Sequence, residues 1–111
     1  MTDDLGSLRR LSRHAFGQTY RLEVMLAIAR SEDGLVNLTD LASGLDLTTS
    51  QIQGALRSLV AVGLLTEMPM ADSRRRFLLR NRSAAWSWAE ELSASTQTHG
   101  IAQERSNHTR P

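Results

Sequence analysis

The sequence predicts a mainly α-helical fold with one small β-hairpin, and three observations lead to this prediction. The chain has 111 residues, of which 41% are hydrophobic and 23% charged, so it has the size of one small globular domain. Apolar residues recur every three or four positions over much of residues 5–62, which is the period of amphipathic helices. Two short segments, LLTEM at 64–68 and RFLL at 76–79, look like strands, and the loop between them is too long for a two-residue turn.

Two helices are predicted at about 4–15 and 18–30, because the helical spacing of apolar residues is interrupted only around Gly17. A turn cluster at 31–34 follows, and then a very short apolar run at 35–38 that can form a minimal strand. A helical pair followed by a short extended segment is therefore expected.

Thr39 can cap a further helix at 40–45, because its hydroxyl can accept a hydrogen bond from a free amide of the first turn. A tight connection at 46–48 then leads into a longer helix at 49–62. Asp46 stands in this connection, where Asp tolerates the left-handed conformation that a tight turn requires.

A final helix is predicted at 82–93, and residues 94–111, with one large aliphatic residue, are predicted to form a flexible polar tail. The order helix, helix, short strand, helix, tight turn, helix, hairpin, helix is that of a winged helix-turn-helix. Residues 1–93 are thus expected to form one winged-helix domain.

Two stretches carry a resemblance to a known family. The segment AFGQTYRLEVMLAIA (15–29) resembles the opening of the arsenic-repressor (ArsR) family, and residues 38–65 resemble the helix-turn-helix that follows it. The hairpin ADSRRRFLLR (71–80) is similar to the wing of the multiple-antibiotic-resistance (MarR) family. Both families are dimeric bacterial repressors, so the resemblance implies a homodimeric transcriptional regulator of duplex operator DNA. It leaves open whether a small-molecule or protein effector exists.

The helix at 49–62, capped by Thr48 or Thr49 and ended by Gly63, has an apolar face centred on Ile52. The opposite face is small and polar, so its backbone can approach a groove while Gln and Arg reach base edges. The alternative is an ordinary surface helix that tolerates a central glycine, at a cost of ~1 kcal/mol relative to Ala. The residues of this helix predicted to contact DNA are Thr49, Ser50, Gln51, Gln53, Gly54 and Arg57.

Three consecutive arginines, Arg74, Arg75 and Arg76, close the hairpin loop and are also predicted to contact DNA. In a winged helix this loop flanks the groove that the recognition helix occupies, where Arg can pair with phosphates or enter the minor groove. The alternative is a solvated charge run that protects an edge strand from aggregation. The formal net charge of the chain is only +1, so the clustering of arginines in this loop is a better indication of DNA binding than the net charge.

The terminal helices are predicted to form a homodimer interface. Trp86 and Trp88 are two positions apart, so their side chains point about 200° apart on a helix and cannot bury against one core. Trp88 aligns with the apolar residues at 85, 89 and 92 and is expected to face the core, which leaves Trp86 for a partner. A partly exposed tryptophan is the alternative. The predicted interface residues are Leu5, Leu8, Leu11, Trp86, Trp88 and Leu92.

The sequence contains no motif that indicates a metal site, a cofactor site or an enzyme active site. The chain has no cysteine, and the positions of the ArsR family's Cys-x-Cys motif fall on Asn37 and Thr39. The three histidines are scattered, and no nucleophile motif or phosphate-binding loop occurs. We therefore expect no metal, no cofactor and no catalytic residue. With no run near the ~20 apolar residues of a membrane span, a cytoplasmic protein is expected.

A winged helix that contacts proteins instead of DNA, as an interaction module or co-regulator, is the alternative function. The modest net charge and the acidic residues Asp40 and Asp46 beside the helix-turn-helix favour it. Direct binding to duplex DNA distinguishes the two functions.

Overall fold

The computed structural model describes residues 3–69 and 76–95, which form five helices and one small antiparallel sheet. The prediction of a mainly α-helical winged helix is confirmed, and the minimal strand joins the hairpin as a third strand. The elements are α1 (Asp3–Phe16), α2 (Arg21–Ala29), β1 (Leu35–Asn37), α3 (Leu38–Leu45), α4 (Thr49–Ala61), β2 (Leu65–Met68), β3 (Phe77–Arg80) and α5 (84–95).

The sheet has the strand order β1-β3-β2, with β3 paired antiparallel to both neighbours. Phe77 lies opposite Asn37 of β1 and Met68 of β2, so the connection between β2 and β3 leaves the sheet at this end. This connection is the wing. Its residues 70–75 lie outside the described part of the chain.

The core is built around α2, which is apolar on most sides and is buried by the elements around it. Leu22, Met25 and Ile28 of α2 are fully buried, together with Ile52 and Leu59 of α4. Burial of these side chains is favourable because it removes apolar surface from water, and it holds α4 against α2. The predicted apolar face of α4 is therefore the face that packs on the core.

The helix-turn-helix has its expected left-handed turn and a different first cap. Asp46 adopts φ of 59°, as expected. The prediction of Thr39 as the cap of α3 is wrong, because the helix begins at Leu38 and the side chain of Asn37 accepts from the amide of Asp40 at 2.9 Å. Thr48 caps α4 in a reciprocal capping box with the residue three positions later.

Helix α2 begins at Arg21, later than predicted, and has no side-chain cap of its own at Tyr20. The fully buried Ser12 of α1 takes that role: its Oγ accepts from the amide of Leu22 at 3.0 Å and donates to the carbonyl of Gln18 at 2.5 Å. The first turn of α2 is thus hydrogen-bonded to α1.

The prediction for the two tryptophans is reversed. Trp86 is 7% exposed, and its Nε1 donates to the carbonyl of Asn81 at 2.7 Å, whereas Trp88 is 45% exposed. Apolar residues at 85, 86, 88, 89 and 92 fit either face by spacing alone, and contact through Trp86 and Ala89 decides the orientation.

Helix α5 begins two residues later than predicted, where the Ser83 hydroxyl accepts from the amide of Ala85 at 3.0 Å. It includes the first two residues of the predicted tail, and residues 96–111 lie outside the described part. Among the described helices, none has the length and apolarity that a membrane span requires.

Candidate nucleic-acid interface

The small, polar face of α4 that is predicted to contact DNA, which we call the recognition face, lies outward. Ile52, Ala55, Leu56 and Leu59 are buried on the inner side of the helix. The outer side carries the six predicted contact residues, which are exposed except for the partly buried Gln53: Thr49, Ser50, Gln51, Gln53, Gly54 and Arg57.

Two side chains of this face have hydrogen-bond donors available. Within the described ranges, the Gln53 amide and the Arg57 guanidinium have no hydrogen-bond or ion-pair partner. They line one edge of α4 along a groove shared with the wing strands, where Arg76 lies opposite. No residue of α4 is acidic, so this edge of the helix carries no negative charge, although Glu67 of β2 also lines the groove.

Gln51 is already engaged in holding α4. Its Oε1 accepts from the amide of Thr48 at 2.9 Å, and its Nε2 donates to the hydroxyl of Tyr20 at 3.1 Å. Thr48-x-x-Gln51 is the spacing of a capping box, so the sequence carried the signal for this role. A DNA contact by this amide would replace hydrogen bonds that order the first turn.

The wing is described only at its base. Arg76 is exposed and donates to the Glu67 carboxylate at 2.5 Å across the hairpin. Glu67 therefore competes with any phosphate for this guanidinium. Arg74 and Arg75 lie outside the described residues.

A second edge of α4 was missed by sequence reasoning. Tyr20, Gln18 and Arg21, from the connection between α1 and α2 and the first residue of α2, lie along it. Arg21 donates to the hydroxyl of Ser58, 37 positions later in the chain. No spacing rule links residues so far apart, so only the fold reveals this edge.

Two cation-bearing side chains fix this corner of the molecule. Arg9 forms a bidentate pair with the buried carboxylate of Glu23 at 2.6 and 3.0 Å and lies 5.0 Å from the Tyr20 ring centre. This hydrogen bonding to Glu23 raises the pKa of Arg9. Arg21 lies 5.1 Å from the Phe16 ring centre, and burial lowers its pKa.

The predicted dimer residues divide into exposed and buried groups. Leu5 and Trp88 are each 45% exposed, and the Trp88 ring meets Phe16 edge-to-face with ring centres 5.5 Å apart. Trp86 is buried in the core of the chain and is withdrawn from the predicted interface. The remaining predicted residues, Leu8, Leu11 and Leu92, are partly buried against the core.

In the described part of the chain, no group of three or more His, Cys, Asp or Glu side chains is arranged to hold a metal ion.

No protein-family model and no curated protein matches the sequence. Solved structures do match. A MarR-family transcriptional regulator from Rhodococcus sp. RHA1 has a TM-score of 0.66 at 18% identity, over 94% of this chain and 80% of that one.

Two further structures share the fold. A MarR-family regulator from Streptomyces coelicolor, solved in complex with DNA, has a TM-score of 0.62 at 18% identity, over 99% of this chain and 71% of that one. MarR from E. coli, in its apo form, has a TM-score of 0.64 at 14% identity, over 98% and 78%. These structures give no support to the ArsR resemblance of residues 15–29 and 38–65, and they agree with the MarR-like wing. The chain therefore has the winged-helix fold of MarR-type transcriptional regulators.

Proposed function

We propose that the protein is a transcriptional regulator, in the role of a repressor, that binds duplex operator DNA as a homodimer. The observation that carries the proposal is the outer face of α4: an exposed glycine between polar residues, unpaired Gln53 and Arg57 donors and no acidic residue. A regulator with the same fold, from Streptomyces coelicolor, was solved in complex with DNA, which supports this use of the fold.

In this arrangement α4 lies in the major groove. Gln53 can pair with an adenine edge, and Arg57 can pair with guanine or a phosphate. The exposed Gly54 leaves room for the helix backbone to approach the base pairs, and the Thr49 and Ser50 hydroxyls can bind phosphate oxygens.

The wing adds positive charge to that of Arg57, the one basic residue of α4. We propose that Arg74, Arg75 and Arg76 pair with phosphates of the DNA backbone or enter the minor groove beside the α4 site. In a homodimer, two such units read half-sites about one helical turn of DNA apart, ~34 Å. The protein would act in the cytoplasm with no catalytic step and no cofactor.

The test is selection of bound sequences from a random duplex pool, followed by fluorescence anisotropy with the selected duplex and a scrambled one. The expected dissociation constant for the selected duplex is about 10⁻⁸ M or lower at physiological salt, at least ~10³-fold below that of the scrambled duplex. A dissociation constant above ~10⁻⁴ M for both duplexes would overturn the proposal and favour the alternative function, a winged helix that contacts proteins.

Position 54 offers a matched pair of variants for this assay. A methyl group at this position would meet only the Gln18 amide, at 3.9 Å, so Gly54→Ala should fold and gain up to ~1 kcal/mol of helix stability. Gly54→Glu places bulk and negative charge where the helix meets the groove and should abolish binding. Arg30→Ala, at the opposite end of α2 from Arg21, removes one positive charge and should leave the preference for the selected duplex unchanged.

A further inference from the structure

Residues 18–21 run beside α4 and lie next to three of its positions. The Tyr20 hydroxyl accepts from Gln51, the Gln18 amide lies beside Gly54, and Arg21 donates to Ser58. Positions 51, 54 and 58 follow one another at three- and four-residue spacing, so they form one stripe along the helix. We call residues 18–21 the corner segment.

Gln18 is held in one orientation. Its Oε1 accepts from the Nε of Arg21 at 2.9 Å, and the Nε of arginine can only donate, so the amide oxygen must face Arg21. The Arg21 guanidinium is fixed in turn by the Ser58 hydroxyl and the Phe16 ring. The Gln18 NH₂ group is therefore directed away from Arg21.

This NH₂ group stands at the edge of the recognition face. Its nitrogen lies 3.9 Å from the place that a Cβ at position 54 would occupy, and Gly54 itself is exposed. Among the described residues, the nitrogen has no hydrogen-bond partner. The amide thus sits next to the gap left by the missing side chain of α4, with two donor hydrogens available.

We infer that Gln18 is a further DNA-contacting residue, which donates its amide hydrogens to an acceptor on the duplex beside Gly54. The inference rests on the proposed function. The corner segment would then border the recognition face on one side, as Arg76 at the base of the wing does on the other. The acceptor is an oxygen or nitrogen on a base edge or a phosphate, and the two sources differ in whether the contact depends on sequence.

The first arm of the test compares Gln18→Ala with wild type on the selected duplex and on single base-pair variants of it. Gln18→Ala should weaken binding to the selected duplex roughly tenfold. A base contact relaxes the preference at one base pair in each half-site, whereas a phosphate contact lowers affinity equally for all duplexes. If the wild-type protein binds DNA and Gln18→Ala binds with the same affinity, the inference is overturned and the proposed function stands.

The second arm separates contact with DNA from a purely structural role. Gln18→Glu keeps an acceptor for Arg21 but replaces the donor with a carboxylate, so it should lose more affinity than Gln18→Ala while keeping the wild-type melting temperature. Wild-type binding by Gln18→Glu would overturn the inference.

An Arg21→Met background completes the design. If Gln18 acts only by holding Arg21, the effect of Gln18→Ala disappears completely in that background, and the inference is wrong; a direct contact leaves a smaller but measurable loss, because the amide is still present but is no longer oriented by Arg21. A loss that persists supports direct contact. Failure of the wild-type protein to bind any duplex would remove the proposed function, and the inference with it.

Discussion

Gly34 lies in the turn before β1 with φ of +75°, directly against the side chain of Arg80. The Arg80 guanidinium donates to the carbonyls of Ile28, Ala29 and Ser31 at 2.8, 3.0 and 3.1 Å, which satisfies the end of α2. A Cβ at position 34 would lie 3.1 Å from the Cβ of Arg80 and 3.3 Å from its Nε. The missing side chain thus leaves room for Arg80 to reach α2.

Gly34→Ala should therefore destabilise the protein by about 1–3 kcal/mol, since it adds left-handed strain and displaces Arg80. Gly44→Ala is the matched control: Gly44 is helical with nothing within 4 Å of its added Cβ, and the change should stabilise by up to ~1 kcal/mol. Urea denaturation of both variants measures the difference. Equal stabilities would show that Arg80 is not essential to the end of α2.

At the scale of single residues, the sequence predicted conformations and helix caps that depend on neighbouring residues. It missed hydrogen bonds between residues that are far apart in the chain. The left-handed Asp46 and the Thr48 cap follow from neighbouring residues. The cap of α3 was misplaced because Asn37 and Thr39 are both good cap residues two positions apart, and backbone geometry selects the first. The Arg80 contacts span about fifty residues, which no local rule predicts.

Helix α5 is attached to the core through Trp86. Trp86→Ala should cost ~3–5 kcal/mol, because it removes a buried ring and leaves the Asn81 carbonyl without its donor. Trp86→Phe keeps most of the ring and loses the 2.7 Å hydrogen bond, so it should cost clearly less. Chemical denaturation separates the two variants. Equal costs would mean that packing contributes little to holding α5.

We predict that Glu67 of the hairpin weakens DNA binding, because its carboxylate pairs with Arg76. Glu67→Gln frees Arg76 and should tighten binding to all duplexes a few-fold, with the slope of log K against log salt steeper by ~0.9 for each added phosphate contact. Glu32→Gln makes the same charge change in the exposed turn at the opposite end of the sheet and should alter binding little. Anisotropy over a salt series makes the comparison. Unchanged binding by Glu67→Gln would show that Arg76 does not reach DNA.

The positions of the helices and strands were predicted more accurately than the side of each helix that is buried. The outward side of α4 followed from Ile52 and its helical neighbours, because that helix has one apolar stripe. Helix α5 has apolar residues on two sides, so periodicity could not choose between Trp86 and Trp88. The second edge of α4 depends on how α2 packs against it, and a pattern along one helix carries no information on that.

The molecule as a whole is proposed to be a dimer through the exposed apolar residues of α1 and α5. Trp88→Ala combined with Leu5→Ser should convert the dimer to a monomer at tens of micromolar, since large aromatics dominate interface energetics. Val62→Ser, at the end of α4, removes a side chain that is even more exposed, at 63%, and should leave the mass unchanged. Light scattering measures the mass. A wild-type monomer would remove the dimer proposal.

The buried hydroxyl of Ser12 makes the opening of α2 depend on that of α1. Leu22 has its amide bonded to this hydroxyl, so its amide hydrogen should exchange with solvent only when α1 separates from α2, and the two helices should open as one cooperative unit. In Ser12→Ala, exchange at Leu22 should accelerate much more than exchange at Leu26, in the middle of α2. Equal protection at Leu22 in both proteins would show that the first turn of α2 closes without α1.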